Sequence, residues 1–162
     1  MTTSMKTVID QLRTAFPPQP LDPESAFAEW GGTYQDASSF KSEARGKRWD
    51  ELSSGFLERH HDALRALGPQ ALIAVIPAFL AAALRRDEEL DMLPTFLLGT
   101  LTRSTADGDR FDARFGALAT AQRQAIARAL EAWESSLEGS QDERAVTEAL
   151  DSYWREEDRR EQ

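Results

Sequence analysis

The chain contains no cysteine, which excludes disulfide bonds, thiolate metal sites and a cysteine nucleophile. Its 162 residues include only two histidines, the adjacent His60 and His61. Neighbouring positions on a helix point about 100° apart, whereas helical metal ligands are spaced three or four residues apart. We therefore predict a solvated or half-buried histidine pair and no metal site.

Other signatures of catalysis are missing as well. The sequence has no glycine-rich phosphate loop, and none of its serine pairs is flanked by the glycines of a nucleophile elbow. Asp107, Asp109 and Asp112 surround Gly108, but the closing glutamate of a calcium loop is missing, so ordinary turn chemistry is the better interpretation. We predict a protein that is not an enzyme, with no catalytic residues and no cofactor.

Positive charge is scarce near the carboxyl end. The formal net charge is −9, and residues 131–162 hold 4 Lys or Arg against 11 Asp or Glu. Nucleic-acid affinity depends on clustered basic residues, so this balance argues against nucleic-acid binding. An acidic surface speeds encounter with a basic protein, although solubility alone is another explanation for it.

Long apolar runs are also scarce. The longest uncharged run, residues 66–84, is shorter than the roughly 20 residues that span a membrane, and it contains Gln70 and Pro77. Residues 1–6 lead into an amphipathic segment rather than the apolar core of an export signal. We expect a cytoplasmic protein that does not enter a membrane.

That same uncharged run predicts the architecture. A helix that is apolar on every side must be surrounded by protein, so residues 69–86 should form a central helix, kinked or split near Pro77. The spacing of apolar residues predicts an all-α single domain over residues 1–162, a bundle of about six to eight helices, with residues 155–162 as a disordered charged tail. The other predicted helices cover residues 4–16, 22–30, 36–44, 49–67, a segment with Pro94 in its first turn, 111–118, 120–138 and 140–154.

Several short motifs resemble those of an uncharacterised bacterial family. These are Gly46-Lys47-x-Trp49-x-x-Leu52, Leu67-Gly68-Pro69-x-Ala71, Ile76-Pro77-Ala78-Phe79-Leu80 and Leu118-x-Thr120-x-Gln122. The resemblance covers residues 8–137, with departures at Val75-Ile76 and Gly68, and it implies a helical fold rather than a mechanism. Small acidic helical proteins of this kind also resemble bacterial immunity proteins, which implies a protein partner.

The leading hypothesis is a non-enzymatic module, most concretely an immunity or antitoxin-like protein that neutralises a basic secreted toxin. Trp154, beside Tyr153 in an acidic segment, fits either a contact with that partner or packing of the last helix on the core. The candidate partner-binding residues are Glu148, Asp151, Tyr153, Trp154, Glu156, Glu157 and Asp158, with Asp87, Glu88, Glu89 and Asp91 as a second acidic patch. The alternative is a small enzyme or ligand carrier with a pocket beside Pro77, lined by His60 or His61.

Overall fold

The computed structural model describes residues 4–26 and 34–155. Within these residues the chain is all-helical, with nine α-helices and no strand, so the predicted fold class is confirmed. The helices are α1 (Met5–Ala15), α2 (Ala37–Ala44), α3 (Ser54–Arg59), α4 (Ala63–Ala66), α5 (Pro69–Arg85), α6 (Leu93–Leu101), α7 (Gly108–Phe115), α8 (Thr120–Ser136) and α9 (Glu143–Ala149). Short 3₁₀ turns cover Pro23–Ser25 and Trp49–Glu51.

The central helix is α5, as predicted. Pro69 stands in its first turn, where a missing N–H costs nothing, and Arg86 ends it in a left-handed conformation with φ 55°. It packs against α1, α3, α6, α7 and α8, which explains why nearly all of its residues from Leu72 to Leu84 are buried. Of the two effects predicted for Pro77, a kink or a split, the split does not occur, because α5 continues through the proline as one helix.

Helices α1 and α8 pack closely against each other and flank the central helix. The Ser4 hydroxyl accepts a hydrogen bond from the Thr7 N–H at 3.2 Å and so caps α1. Val8, Ile9 and Leu12 form the buried face of that helix. In both helices, the apolar residues whose spacing predicted the helix therefore form its buried face.

The predicted single helix over residues 49–67 is wrong. The chain forms a 3₁₀ turn, then α3, then α4, and Ser53 opens α3 by accepting a hydrogen bond from the Phe56 N–H at 3.1 Å. The break after α3 carries the ring of His60 into the core, where the residue is only 2% exposed. With this division the described residues hold nine α-helices rather than the six to eight expected.

The last helix begins later than predicted. Its cap is Asp142 rather than Ser140, and the Glu143 carboxylate accepts a hydrogen bond from the Gly139 N–H at 2.7 Å. A π-helical turn, Leu150–Trp154, follows α9. Of the helix predicted over residues 22–30, the described part forms the 3₁₀ turn Pro23–Ser25, capped by Asp22. Phe27 and Trp30 lie outside the described residues, as does the charged tail beyond Arg155. Among the described helices, none has the length and apolarity needed to cross a membrane.

Candidate functional site

The second of the two predicted acidic patches, which contains Asp87, Glu88, Glu89 and Asp91, lies between α5 and α6, in residues 87–92, which we call the acidic loop. Three of its four carboxylates are exposed, those of Glu88, Glu89 and Asp91. Asp87 is half-buried and accepts a hydrogen bond from the Ser54 hydroxyl at the start of α3. Asp87 therefore ties the loop to the domain, and the other three carboxylates face solvent.

The carboxylate of Glu58 fixes the far end of this loop. It accepts hydrogen bonds from three consecutive backbone N–H groups, those of Asp91, Met92 at 3.2 Å and Leu93 at 3.1 Å. These groups belong to the amino-terminal end of α6, where helix N–H groups have no partner within the helix and a negative charge is favoured. Glu58 therefore anchors the end of the acidic loop to α3.

Met92 is the apolar member of the acidic loop. Its side chain is 44% exposed, and within residues 4–26 and 34–155 no other large hydrophobic residue is classed as exposed. A methionine adapts its shape to the surface it meets, since it is unbranched and its sulfur is polarizable. The loop thus combines a flexible apolar group with solvent-facing carboxylates.

The first of the two predicted patches, that of Glu148 to Asp158, lies in its described part on α9 and the turn after it. Glu148 and Asp151 are exposed, but each pairs with an arginine of its own chain, Arg144 at 3.3 Å and Arg155 at 2.6 Å. Arg155 also contacts Glu134 at 2.8 Å. The described part of this patch is therefore partly neutralised. Its remaining predicted carboxylates, Glu156, Glu157 and Asp158, lie outside the described residues.

Trp154 is a core residue, which decides between its two interpretations. It is 1% exposed, and its indole N–H donates a hydrogen bond to the Leu101 carbonyl at 2.8 Å. Its ring meets those of Phe111 and Phe115 edge to face, with centroids 6.0 and 5.6 Å away. The prediction that Trp154 contacts a partner is wrong for this structure, because the ring is enclosed. Tyr153 is half-buried against Phe111, with ring centroids 5.0 Å apart.

The two patches lie at opposite ends of α6. The acidic loop precedes its first residue, and the turn after α9 meets its last through the Trp154 bond to Leu101 and a 2.9 Å bond from the Arg103 N–H to the Ser152 hydroxyl. Nine helical residues extend about 13 Å. The acidic loop and the partly neutralised patch are therefore separate surfaces, and we treat the loop as the candidate site.

The alternative prediction placed a pocket beside Pro77, lined by a histidine. Pro77 is buried inside the unbroken α5. A cavity of about 200 Å³ lies along the same helix, but its walls include Ala71, Ala74 and Val75 rather than Pro77 or a histidine. The apolar packing around Pro77 counts against a pocket at that position.

The residue that sequence reasoning missed is His60, which is buried rather than solvated or half-buried. Its Nδ1 lies 2.7 Å from the Tyr34 hydroxyl, and its Nε2 lies 3.3 Å from a Glu43 carboxylate oxygen. Phe40 and Phe56 pack against the ring. Tyr34 and Glu43 lie 26 and 17 residues earlier in the chain, so no local spacing could indicate the contact.

Burial and hydrogen bonding set the protonation states of His60, Tyr34 and Glu43. Burial is the main cause that lowers the pKa of His60, and burial raises the pKa of Tyr34 to about 12. The hydrogen bond with His60 is the main cause that lowers the pKa of Glu43. A neutral ring then donates from Nε2 to the carboxylate and accepts the phenolic proton at Nδ1. This arrangement ties Tyr34, which precedes α2, and Glu43, near the end of α2, to His60 at the end of α3.

His61 is half-buried, as predicted for the pair. Its Nδ1 lies 2.7 Å from the Glu58 carbonyl oxygen, and its ring packs edge to face on Phe96 with centroids 4.5 Å apart. The two histidines thus turn to different neighbours. Across the described residues, no group of three or more His, Cys, Asp or Glu is arranged to hold a metal ion.

Comparison with known proteins places the chain in a family. No curated protein and no solved structure matches it. A model of a family of unknown function matches residues 5–158, a longer span than the 8–137 expected from the sequence motifs. The chain belongs to this family, DUF6714.

Proposed function

We propose that this chain is a non-enzymatic protein-binding module whose acidic loop docks on a basic surface of another protein. The observation that carries the proposal is Met92, 44% exposed beside three exposed carboxylates. An exposed apolar side chain supplies area that a partner can bury, while neighbouring carboxylates select Lys and Arg. Solubility alone would account for the carboxylates but not for the methionine among them.

The rigidity of the loop supports the same proposal. Binding by a flexible loop loses conformational entropy for every residue that becomes ordered. The bonds from Asp91, Met92 and Leu93 to Glu58, and from Ser54 to Asp87, already hold this loop at both ends. A partner therefore meets a preformed arrangement of charge and apolar surface.

The most specific form of the proposal is an immunity protein. A toxin that acts on nucleic acid or nucleotides holds its substrate with Lys and Arg, and exposed carboxylates can occupy the same positions as phosphates. The net charge of −9 would speed association with such a partner through long-range attraction. In this form Glu88, Glu89, Asp91 and Met92 make the central contacts, and Glu148 and Asp151 contribute less because they already pair with arginines.

The experiment compares capture of partners by four forms of the full-length chain in its native host. These are the wild type, Glu88→Lys with Glu89→Lys, Met92→Ser, and a control with Glu138→Lys and Asp142→Lys. The control changes the net charge by the same amount at two exposed positions between α8 and α9. Mass spectrometry identifies the partner, which is then purified for binding kinetics at low and high salt.

The loop variants should bind the partner more weakly than the control does. We expect the double lysine variant to weaken affinity by about tenfold or more, chiefly through slower association at low salt. Met92→Ser should speed dissociation, and the control should stay within about twofold of the wild type. Equal binding by all four forms, or equal loss in the loop variant and the control, contradicts the proposal.

A further inference from the structure

A groove of about 630 Å³ opens between α6 and α7. Phe96 and Thr100 line it from α6, Arg110 and Arg114 from α7, and Arg65 from α4. Small-molecule sites usually enclose about 300–1,000 Å³, so the groove has room for a ligand. It lies on the side of α6 between the two acidic surfaces, yet three of its lining residues are arginines.

Backbone carbonyls hold two of these arginines in place. Arg114 is buried at 6% exposure, and its Nη2 donates hydrogen bonds to the carbonyls of Leu64 and Leu67, the latter at 3.2 Å. Arg110 donates to the carbonyl of Arg65. These carbonyls lie at the end of α4, where helix C=O groups lack helical partners. The guanidinium groups are therefore positioned by the fold itself.

Two of the positive charges repel each other. Burial and, to a smaller extent, the charge of Arg110 together lower the pKa of Arg114 to about 10. At neutral pH both groups stay protonated, so the fold maintains two neighbouring cations at the groove. An anion bound beside them would relieve this repulsion.

The third arginine forms part of a flat wall. The guanidinium carbon of Arg65 lies 4.3 Å from the centre of the Phe96 ring. This stacking leaves the planar guanidinium along the ring, where it can meet a planar or anionic group. The Thr100 hydroxyl donates to the Phe96 carbonyl at 2.9 Å, so recognition of an anion rests on the arginines rather than on this hydroxyl.

Among the described residues that line the groove, one carries a carboxylate. Asp107 is the acidic lining residue, and its backbone N–H donates to the Ser104 hydroxyl at 3.1 Å. Asp112, on α7, is engaged by Arg103 through two hydrogen bonds of 2.9 and 3.0 Å. The lining therefore carries three positive side chains and one negative, in a chain whose net charge is −9.

We propose that this arginine groove binds a small molecule that carries a phosphomonoester. A phosphate dianion offers several oxygens to guanidinium groups, which bind such oxygens in pairs. The remainder of the ligand would lie along the Arg65 guanidinium, which itself lies over the Phe96 ring. This site is independent of the acidic loop, and it can be tested without a protein partner.

Calorimetric titration of the full-length chain tests the proposal at constant ionic strength. The probes are inorganic phosphate, adenosine monophosphate and glucose 6-phosphate, with adenosine as the uncharged control. The protein forms are the wild type, Arg110→Gln, Arg65→Gln and, as a matched control, Arg144→Gln. The three substituted arginines are all exposed, so each variant should keep its fold, which a melting curve checks.

We expect saturable binding of at least one phosphate-bearing probe, weakened about tenfold or more by Arg110→Gln and Arg65→Gln. Arg144→Gln should leave it unchanged. A preference for adenosine monophosphate would identify stacking on the Arg65 guanidinium, and equal binding of all three phosphates would identify a simple phosphate site. Both results support the proposal.

Absence of saturable binding, or equal binding by all four protein forms, overturns it. One further variant, Glu156→Gln with Glu157→Gln and Asp158→Asn, tests competition by the chain's own carboxylates. If phosphate binds this variant but not the wild type, the groove takes those carboxylates rather than a phosphorylated ligand, and the proposal is wrong.

Discussion

Removal of the Glu58 carboxylate should destabilise the domain by a measurable amount. Glu58 accepts from the N–H groups of Asp91, Met92 and Leu93 at the start of α6, and its side chain is only 17% exposed. Loss of a helix cap costs about 0.5–2 kcal/mol, and this one satisfies three N–H groups with a full charge, so we expect about 2 kcal/mol for Glu58→Ala. For a domain of this size that corresponds to a fall of about 4–8 °C in Tm.

Chemical denaturation of Glu58→Ala measures this free energy directly, and Glu58→Gln separates charge from hydrogen bonding. The amide keeps an acceptor oxygen but lacks the negative charge, so its cost should be about half as large. Glu138→Ala, at an exposed position, is the control and should change stability by less than about 0.5 kcal/mol. The reasoning is refuted if Glu58→Ala is as stable as that control.

Substitutions at four other positions test the fold. Trp154→Ala should lower the free energy of unfolding by about 3–5 kcal/mol, whereas the same substitution of a surface tryptophan would change it little. Trp154→Phe keeps an aromatic ring but loses the hydrogen bond to Leu101, so it should lower the free energy of unfolding by clearly less. Burial lowers the pKa of His60 below its ordinary value of 6.5, so the unfolded chain binds a proton at this ring more readily than the folded chain does. The stability of the protein should therefore fall as pH drops below about 6.5. His60→Gln should flatten that dependence of Tm between pH 7 and 5.5, and an unchanged slope would contradict the assignment of a buried neutral ring. Gly139→Ala should lower the free energy of unfolding by about 1 kcal/mol, because Gly139 has a φ of 84° that alanine rarely adopts. Gly99→Ala should raise the free energy of unfolding by up to about 1 kcal/mol, because Gly99 lies in α6 with open space at its Cβ position. Equal effects of the two substitutions on melting would show that backbone conformation governs neither position.

The central helix was predictable because its cause is local. From Leu72 to Leu84 the segment carries no charge on any face, so only burial satisfies it, and Pro69 marks its start. The effect of Pro77 was not predictable in the same way. A proline removes one helical hydrogen bond, but the packing on both sides of α5 retains the helix through that position.

The break within residues 49–67 shows what spacing alone omits. Apolar residues recur at helical intervals throughout that segment, and this pattern predicts one helix. The side chain of Ser53 nevertheless caps a new helix at Ser54, and His60 turns inward to Tyr34 and Glu43. The cap was visible in the sequence as a serine, whereas the partners of the histidine are set by tertiary packing.

The candidate surfaces also combine features that the sequence predicts with features that depend on tertiary packing. The carboxylates of the acidic loop could be read from the sequence, since charged residues between two apolar helices lie in solvent. The exposure of Met92 and the bonds to Glu58 depend on how α3 packs beside the start of α6, 33 to 35 residues apart. The arginine groove likewise joins α4, α6 and α7, and no motif in the sequence links Arg65 with Arg110 and Arg114.

The most direct test of the central claim is oxidative footprinting of Met92 in the complex with a captured partner. An exposed methionine is oxidised readily, and mass spectrometry reports the sulfoxide at each position. If the acidic loop is the docking surface, the partner should suppress oxidation of Met92 several-fold while leaving Met5, on α1, unchanged. Oxidation of Met92 at the same rate in the free chain and in the complex would contradict the account.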